Sequence, residues 1–141
     1  MKTATLVATC LESPEPPSPV EMIPRILDGL PVVEFDTLRE LLDISDLQLG
    51  QMVGVSVPTL YRRRQTNSRL DKEASDHIMR YVRLLGLAVK FFDGDMPAAR
   101  RWLSRPAPAL GGLKPLDAAR TEVGARAVEQ LIGRLEHSVY S

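Results

Sequence analysis

Cysteine, histidine and aromatic residues are all scarce in this chain of 141 residues. It has one cysteine, two histidines and an aromatic content of 5%, so its core must consist mainly of aliphatic side chains. A single cysteine excludes an internal disulfide and fits a reducing compartment. No apolar run approaches the roughly 18 residues that a membrane span requires, and the apolar stretch near the start is too short for a secretory signal. These absences predict a cytoplasmic protein of one domain, or of two very small ones.

The residues that carry most enzyme chemistry do not cluster in the sequence. His77 and His137 are far apart, and no group of Cys, His, Asp or Glu has the spacing of metal ligands. Cys10 has no base close to it in the sequence, and Gly111-Gly112 lacks the strand and the lysine of a phosphate-binding loop. Nothing selects a carboxylate pair for acid–base work. We therefore predict no enzyme, no metal and no cofactor, and we interpret the two glycines as a turn.

The charges balance overall but are unevenly distributed. Eighteen basic and eighteen acidic residues give a formal net charge of zero. Residues 1–48 contain three basic and nine acidic groups, whereas residues 49–70 contain four arginines and no acid. Residues 71–141 contain eleven basic and nine acidic groups. Because such asymmetry between segments accompanies contact with nucleic acid, residues 49–70 become the first candidate for a DNA-binding surface.

Proline dominates the first part of the chain. Residues 1–33 contain six of the eleven prolines, together with several acidic residues. Proline removes a backbone donor and disfavours helix in the residue before it. We therefore predict that residues 1–33 form an extended, flexible, acidic arm.

From Phe35 onward the apolar residues recur at helical intervals, and no convincing strand is present. The longest periodic segment covers residues 71–92, capped by Ser68 or Asp71, and residues 104–112 predict a loop because they contain two prolines and two glycines. Trp102, the only tryptophan, is interpreted as a core anchor. The pattern predicts an all-α fold with further helix N-caps at Ser45, Ser56, Asp95 and Thr121.

Residues 46–65, with the sequence DLQLGQMVGVSVPTLYRRRQ, meet the steric demands of a helix-turn-helix. Such a motif needs a small residue where its two helices cross. It also needs a turn residue that tolerates positive φ four positions later, and an apolar residue six positions further on. Gly50, Gly54 and Leu60 stand at those spacings. The second helix is then expected to lie in the major groove and to read base edges through its N-terminal residues.

The side chains expected to face DNA follow from that geometry. Arg62 has the chemistry for a bidentate bond to guanine, which is worth about 1–3 kcal/mol of discrimination. Asp46 stands where an acid would repel phosphates unless it caps a helix. A plain helical hairpin with a solvated basic turn is the alternative reading. The groove-facing set is Ser56, Val57, Pro58, Tyr61 and Arg62, and the phosphate-facing set is Thr59, Arg63, Arg64 and Arg69.

The C-terminal half carries a longer and more specific pattern. In order and spacing, the chain over roughly residues 35–141 resembles the Xre/MbcA/ParS-type antitoxins, which are partners of RES-domain toxins. It departs from their pattern at Ala107, Ala118, Ala119 and Ser138, and the last of these stands where a glycine often lets the tail leave its helix. The matching residues are Trp102-Leu103, Pro106, Leu110-Gly111-Gly112, Pro115-Leu116, Thr121, Gly124 and the final Val139-Tyr140-Ser141.

The resemblance implies a small helical antitoxin with two functional regions. Residues 34–92 correspond to an Xre/Cro-like helix-turn-helix region with its long following helix, which represses the antitoxin's own operon. Residues 93–141 correspond to the toxin-binding region. Toxins of this class consume NAD, and their antitoxins cover the NAD pocket with the C-terminal region. The residues that the resemblance places against the toxin are Glu136, His137, Val139, Tyr140 and Ser141.

A homodimer is expected, because one recognition helix reads too few base pairs for a useful affinity. Two other functions stay open from the sequence. The first alternative to the antitoxin is a stand-alone Xre-like repressor without a toxin partner. The second is a protein-interaction module whose helix-turn-helix has lost DNA binding. An adjacent reading frame that encodes a toxin would distinguish the antitoxin from the repressor.

Overall fold

The computed structural model describes residues 5–13 and 15–140, with side chains described as far as Ser138. This part of the chain is helical and has no strand; a single antiparallel bridge joins Pro31 to Arg69. The predicted all-α fold is confirmed. In chain order the helices are α1 (Leu6–Glu12), α2 (Pro19–Asp28), α3 (Val32–Leu42), α4 (Asp46–Val53), α5 (Val57–Thr66), α6 (Lys72–Phe91), α7 (Met96–Leu103), α8 (Pro115–Ala118) and α9 (Glu122–Tyr140), with a 3₁₀ turn at Pro108–Leu110.

The chain divides into two compact units, Met1–Val82 and Arg83–Ser141, and the division falls inside α6. Each unit buries mostly aliphatic side chains, as the scarcity of aromatic residues predicts. No helix in the described ranges is long and apolar enough to cross a membrane. The largest buried side chains of the first unit are Leu30, Phe35, Leu38, Leu49, Leu60, Ile78 and Tyr81, and the second unit buries Leu84, Leu85, Leu103, Val128 and Ile132.

Local capping sets the helix boundaries that the sequence predicts. The Ser45 and Ser56 hydroxyls accept backbone N–H bonds at the starts of α4 and α5. A carboxylate oxygen of Asp71 accepts the Ala74 N–H at 2.7 Å, so Asp71 caps α6. Asp95 and Thr121 cap α7 and α9 in the same way. Each cap satisfies a backbone donor that the first turn of a helix leaves unpaired.

The prediction of an extended arm over residues 1–33 is wrong where the structure describes it. Helices α1 and α2 occupy this stretch, and Leu6 and Val7 are buried. The backbone N–H groups of these two residues donate to the carboxylate of Glu34 on α3, at 2.7 and 3.0 Å. A long-range contact of this kind ties α1 to the first unit. Residues 1–4 and Pro14 lie outside the described part of the chain.

Two expectations for the second unit also need correction. The predicted loop 104–112 contains the 3₁₀ turn Pro108–Leu110, and Trp102 is only partly buried, whereas Ala99 and Leu103 are fully buried. Helix α9 continues to Tyr140, so the backbone does not leave the helix at Ser138. Ser138 lies within this helix, and its hydroxyl donates to the Arg134 carbonyl oxygen at 3.1 Å.

Candidate nucleic-acid interface and C-terminal region

The turn between α4 and α5 passes close to Gly50. A Cβ atom added there would lie 2.3 Å from the backbone oxygen of Val55, which is far inside van der Waals contact. The Gly50 carbonyl accepts the N–H groups of Gly54 and Val55, at 2.8 and 2.9 Å. Gly54 has φ +83°, so a left-handed residue makes the turn, and Leu60 is buried below it. The spacing read from the sequence therefore corresponds to a real helix–turn–helix geometry.

Exposed and partly buried side chains alternate at the start of α5. Pro58, Arg62 and the Ser56 hydroxyl are exposed, and Tyr61 is 56% exposed. Val57 and Thr59 are partly buried. The Ser56 hydroxyl donates to the Thr59 hydroxyl at 2.8 Å. A guanidinium nitrogen of Arg62 lies 3.5 Å from the same Thr59 oxygen, so most of the Arg62 donors face solvent.

Arg64 requires a correction, because its guanidinium faces carboxylates of its own chain. Its Nε donates to Asp36 Oδ1 at 3.1 Å, and Nη1 and Nη2 donate to the two carboxylate oxygens of Asp46 at 3.0 Å each. With these donors occupied, Arg64 holds α5 against α3 and α4. We therefore remove it from the residues expected to meet phosphate.

The same cluster explains the acid at position 46. Arg64 bonds to Asp46 and lowers the pKa of that carboxyl, while the two carboxylates raise the pKa of Arg64. Arg39 lies beside the cluster, with its Nε 3.1 Å from Asp46 Oδ1 in an ion pair that lacks hydrogen-bond geometry. Ser45, not Asp46, caps α4. The guanidinium groups of Arg64 and Arg39 therefore neutralise the Asp46 carboxylate, so that this acid does not oppose the approach of DNA.

With Arg64 removed, the residues still expected to face phosphate are Thr59, Arg63 and Arg69. Arg63 lines a cavity of about 270 Å³ at the start of α5, together with Gly54, Val55, Ser56, Thr59, Leu70 and Asp71. Arg69 is exposed, and one of its terminal nitrogens donates to the Gly29 carbonyl oxygen at 3.0 Å. The backbone beside it is fixed as well, because the Leu70 N–H donates to the Leu30 carbonyl at 2.8 Å. Both arginines are thus held on ordered backbone.

Four of the five residues that the resemblance places against the toxin lie on the last turns of α9. Glu136 is partly buried and His137 is exposed. The backbone of Val139 and Tyr140 is helical, but their side chains, and all of Ser141, lie outside the described residues. Gly111 and Gly112 both have positive φ and form the expected turn between the 3₁₀ turn and α8.

Sequence reasoning missed Glu34, Asp36 and Arg39 as organising residues. Their partners lie on other helices, and a residue such as Asp36 gives no signal in the sequence that it pairs with an arginine 28 positions away.

Cys10 is partly buried beside Met22, and burial raises the pKa of its thiol, with the Glu34 carboxylate raising it further. Its reactive thiolate form is therefore disfavoured. Among the described residues, no cluster of His, Cys, Asp or Glu is arranged to hold a metal ion.

Comparison with known proteins assigns both units to described families. Residues 21–83 match the antitoxin Xre-like helix-turn-helix domain, and residues 87–137 match the antitoxin Xre/MbcA/ParS C-terminal toxin-binding domain. The chain is 36% identical over 120 residues to the antitoxin Xre of Yersinia enterocolitica, an alignment that covers 85% of this chain and 81% of the relative.

Two further relatives carry related names. The antitoxin Xre of Photorhabdus laumondii is 32% identical over 114 residues, covering 81% of this chain and 77% of the relative. A Prs ADP-ribosylating antitoxin of a Sphingobium species is 24% identical over 132 residues, covering 88% of this chain and 83% of the relative.

Proposed function

Because the chain belongs to the Xre family of antitoxins, with a helix-turn-helix domain and a C-terminal toxin-binding domain, we propose that its partner is a RES-domain toxin that degrades NAD. The match of residues 87–137 to a toxin-binding domain is the observation that carries this proposal. The name of the Sphingobium relative, an ADP-ribosylating antitoxin, refers to a reaction that consumes NAD and ascribes it to the antitoxin, not to a toxin. In this proposal the chain is an inhibitor in the cytoplasm and not itself an enzyme.

Inhibition is assigned to the last residues of the chain. Glu136 and His137 lie on the final turns of α9, and the proposal places them, with Val139, Tyr140 and Ser141, over the active site of the toxin. A segment that covers the NAD pocket blocks catalysis without any chemistry of its own. The absence of a metal-binding cluster among the described residues is no obstacle to that role.

Deletion of residues 137–141 tests this assignment in a co-expression toxicity assay with the toxin from the adjacent reading frame. We expect the truncated chain to fold normally, because His137 and Ser138 are exposed, but to lose protection. Gln130→Ala, an exposed change earlier on α9, serves as the control and keeps full protection. Full protection by the truncated chain would contradict a role for the tail. An adjacent frame without a toxin would instead favour the stand-alone repressor.

The first unit is proposed to repress the operon by binding operator DNA as a homodimer. Support comes from the turn that packs on Gly50 between α4 and α5 and from the exposed surface of α5. Arg62→Ala is expected to relax specificity at one base position by about 1–3 kcal/mol. A mobility-shift assay with the native promoter and single-base variants measures this. If the wild-type chain does not shift the promoter, the third reading, a pure interaction module, is favoured.

A further inference from the structure

Tyr61 is an aromatic side chain of α5 that the core of the first unit does not bury. It is 56% exposed, although its neighbour Leu60 is fully buried. An aromatic ring that stays in solvent keeps a large apolar surface available to a partner. Tyr61 also belongs to the residues expected to face the major groove, so its ring is a candidate for contact with a base.

The ring of Tyr61 lies against the guanidinium of Arg64, about one helical turn further along α5. The Arg64 Cζ atom is 5.8 Å from the centroid of the ring, which is within the distance of a cation–π contact. Residues three positions apart lie on the same side of a helix, so α5 itself brings the two side chains together. The contact favours one orientation of a ring that solvent alone would leave free to change rotamer.

Two carboxylates fix the plane of that guanidinium. Nη1 and Nη2 of Arg64 donate to Oδ2 and Oδ1 of Asp46, both at 3.0 Å, and Nε donates to Oδ1 of Asp36 at 3.1 Å. A guanidinium donates within its own plane, so the two acids occupy its edges and leave a face for the ring. Asp36 lies on α3 and Asp46 on α4. The orientation of Tyr61 is therefore tied to the packing of three helices.

The apolar character of the ring limits what it can recognise in DNA. Base edges in the major groove present hydrogen-bond donors and acceptors, with one apolar group among them, the C5-methyl group of thymine. We propose that the ring of Tyr61 contacts a thymine methyl group in each operator half-site, and that Arg64 is the positioning residue that orients this ring. This inference rests on the proposed function, since it requires operator binding. It gives Arg64 a role in sequence choice although carboxylates occupy its donors.

Replacement of thymine by deoxyuridine tests the contact, because it removes the methyl group and leaves the base-pairing edge unchanged. Fluorescence anisotropy measures the Kd of the full chain for the native promoter and for probes in which each thymine is replaced in turn. At one position in each half-site, we expect deoxyuridine to raise the Kd about fourfold, the loss that corresponds to one methyl-sized contact. At that position Tyr61→Ala should bind the two probes equally.

Arg64→Lys tests the positioning role. Lysine keeps a positive charge between Asp36 and Asp46 but has no planar group to support the ring. The difference between the thymine and deoxyuridine probes should therefore largely disappear, whereas a purely structural defect would raise both Kd values by the same factor. Arg126→Lys makes the same substitution in an exposed ion pair with Glu122 of the second unit, and this matched control keeps the difference. Thermal unfolding verifies that each variant is folded at the assay temperature.

Each outcome decides a separate claim. If the wild-type chain does not bind the promoter, the proposed operator binding fails and the thymine contact fails with it. If the wild-type chain binds and no deoxyuridine probe is weaker, or if Tyr61→Ala keeps the difference, only the thymine contact is overturned. Loss of the difference in Tyr61→Phe, which keeps the ring, would assign the contact to the hydroxyl and would also overturn it. An unchanged difference in Arg64→Lys would overturn the positioning role.

Discussion

At the scale of single residues, Gly50 leaves room for the turn between α4 and α5. We expect Gly50→Ala to destabilise the fold by about 1–3 kcal/mol, because the new Cβ would lie 2.3 Å from the Val55 backbone oxygen and the turn would have to shift. Gly133→Ala on α9 is the matched control. No atom lies within 4 Å of its added Cβ, so it should stabilise the helix by about 1 kcal/mol. Urea unfolding measures both, and an unchanged midpoint for Gly50→Ala would contradict the close approach.

The pairing of Asp46 with Arg64 predicts a loss of stability in acid. Arg64 holds the pKa of Asp46 below its ordinary value in the folded state. The resulting stabilisation is complete above the unfolded pKa of about 4 and is lost as the pH falls through the folded pKa. Asp46→Asn should therefore be less stable at pH 6 and lose less stability than the wild type between pH 4 and pH 2.

Urea midpoints across that pH range measure the difference. Asp76→Asn changes an exposed carboxylate on α6 and serves as the control, with a pH dependence close to that of the wild type. If Asp46→Asn and the wild type lost stability in parallel, the ion pair would contribute nothing to folding.

Residues whose role is steric could be predicted from the sequence, and residues whose role is a long-range pairing could not. Gly50, Gly54 and Leu60 act through positions within one short segment, so their spacing carries the information. Arg64 stood in the same basic run as Arg62 and Arg63, and nothing local separates the three. Only the folded chain brings Asp36 against Arg64 and takes that arginine away from the DNA surface.

At the scale of elements, α1 depends on one buried carboxylate. Glu34 is 5% exposed and accepts the N–H groups of Leu6 and Val7. We expect Glu34→Ala to raise the free energy of the docked helix by about 1–3 kcal/mol, because two backbone donors lose a charged acceptor. Hydrogen exchange of the Leu6 and Val7 amides should accelerate accordingly.

Glu40→Ala is the control for this change, since Glu40 lies on the same helix and its side chain is exposed. It should leave the exchange of the α1 amides unchanged. Continued protection of Leu6 and Val7 in Glu34→Ala would mean that apolar burial alone holds α1 in place.

The same contact shows why the first 33 residues were mispredicted. Their proline content favours an extended arm by composition, yet Pro19 stands at the first position of α2, where a missing N–H costs nothing. Ser18 and Glu21 form a reciprocal capping box at that helix start. The hydrogen bond from the Leu6 N–H to Glu34 spans 28 residues, and no local sequence pattern predicts it. Composition identified the prolines but not their positions relative to the helices.

At the scale of the whole molecule, the zero net charge is partly an internal cancellation. The acidic surplus of residues 1–48 includes Asp36 and Asp46, and these two neutralise Arg64 of the basic segment. The acids that meet the arginines thus come from α3 and α4 and not from the proline-rich stretch. Among the arginines of that segment, we still expect Arg62 to contact a base and Arg63 and Arg69 to contact phosphates.

The salt dependence of operator binding then reports both the contacts and the oligomeric state. A two-fold dimer presents two copies each of Arg63 and Arg69. Four neutralised phosphates give a slope of log K against log salt of about −3.6, whereas a monomer with two contacts gives about −1.8. Arg63→Ala in a dimer should reduce the slope to about −1.8 and weaken binding to all DNA sequences alike.

Arg105→Ala, which removes a cation of the second unit, should leave the slope unchanged. Fluorescence anisotropy with promoter DNA at several salt concentrations measures these slopes. A wild-type slope near zero would exclude these arginines from phosphate contact, and a slope near −1.8 would indicate binding by a single chain.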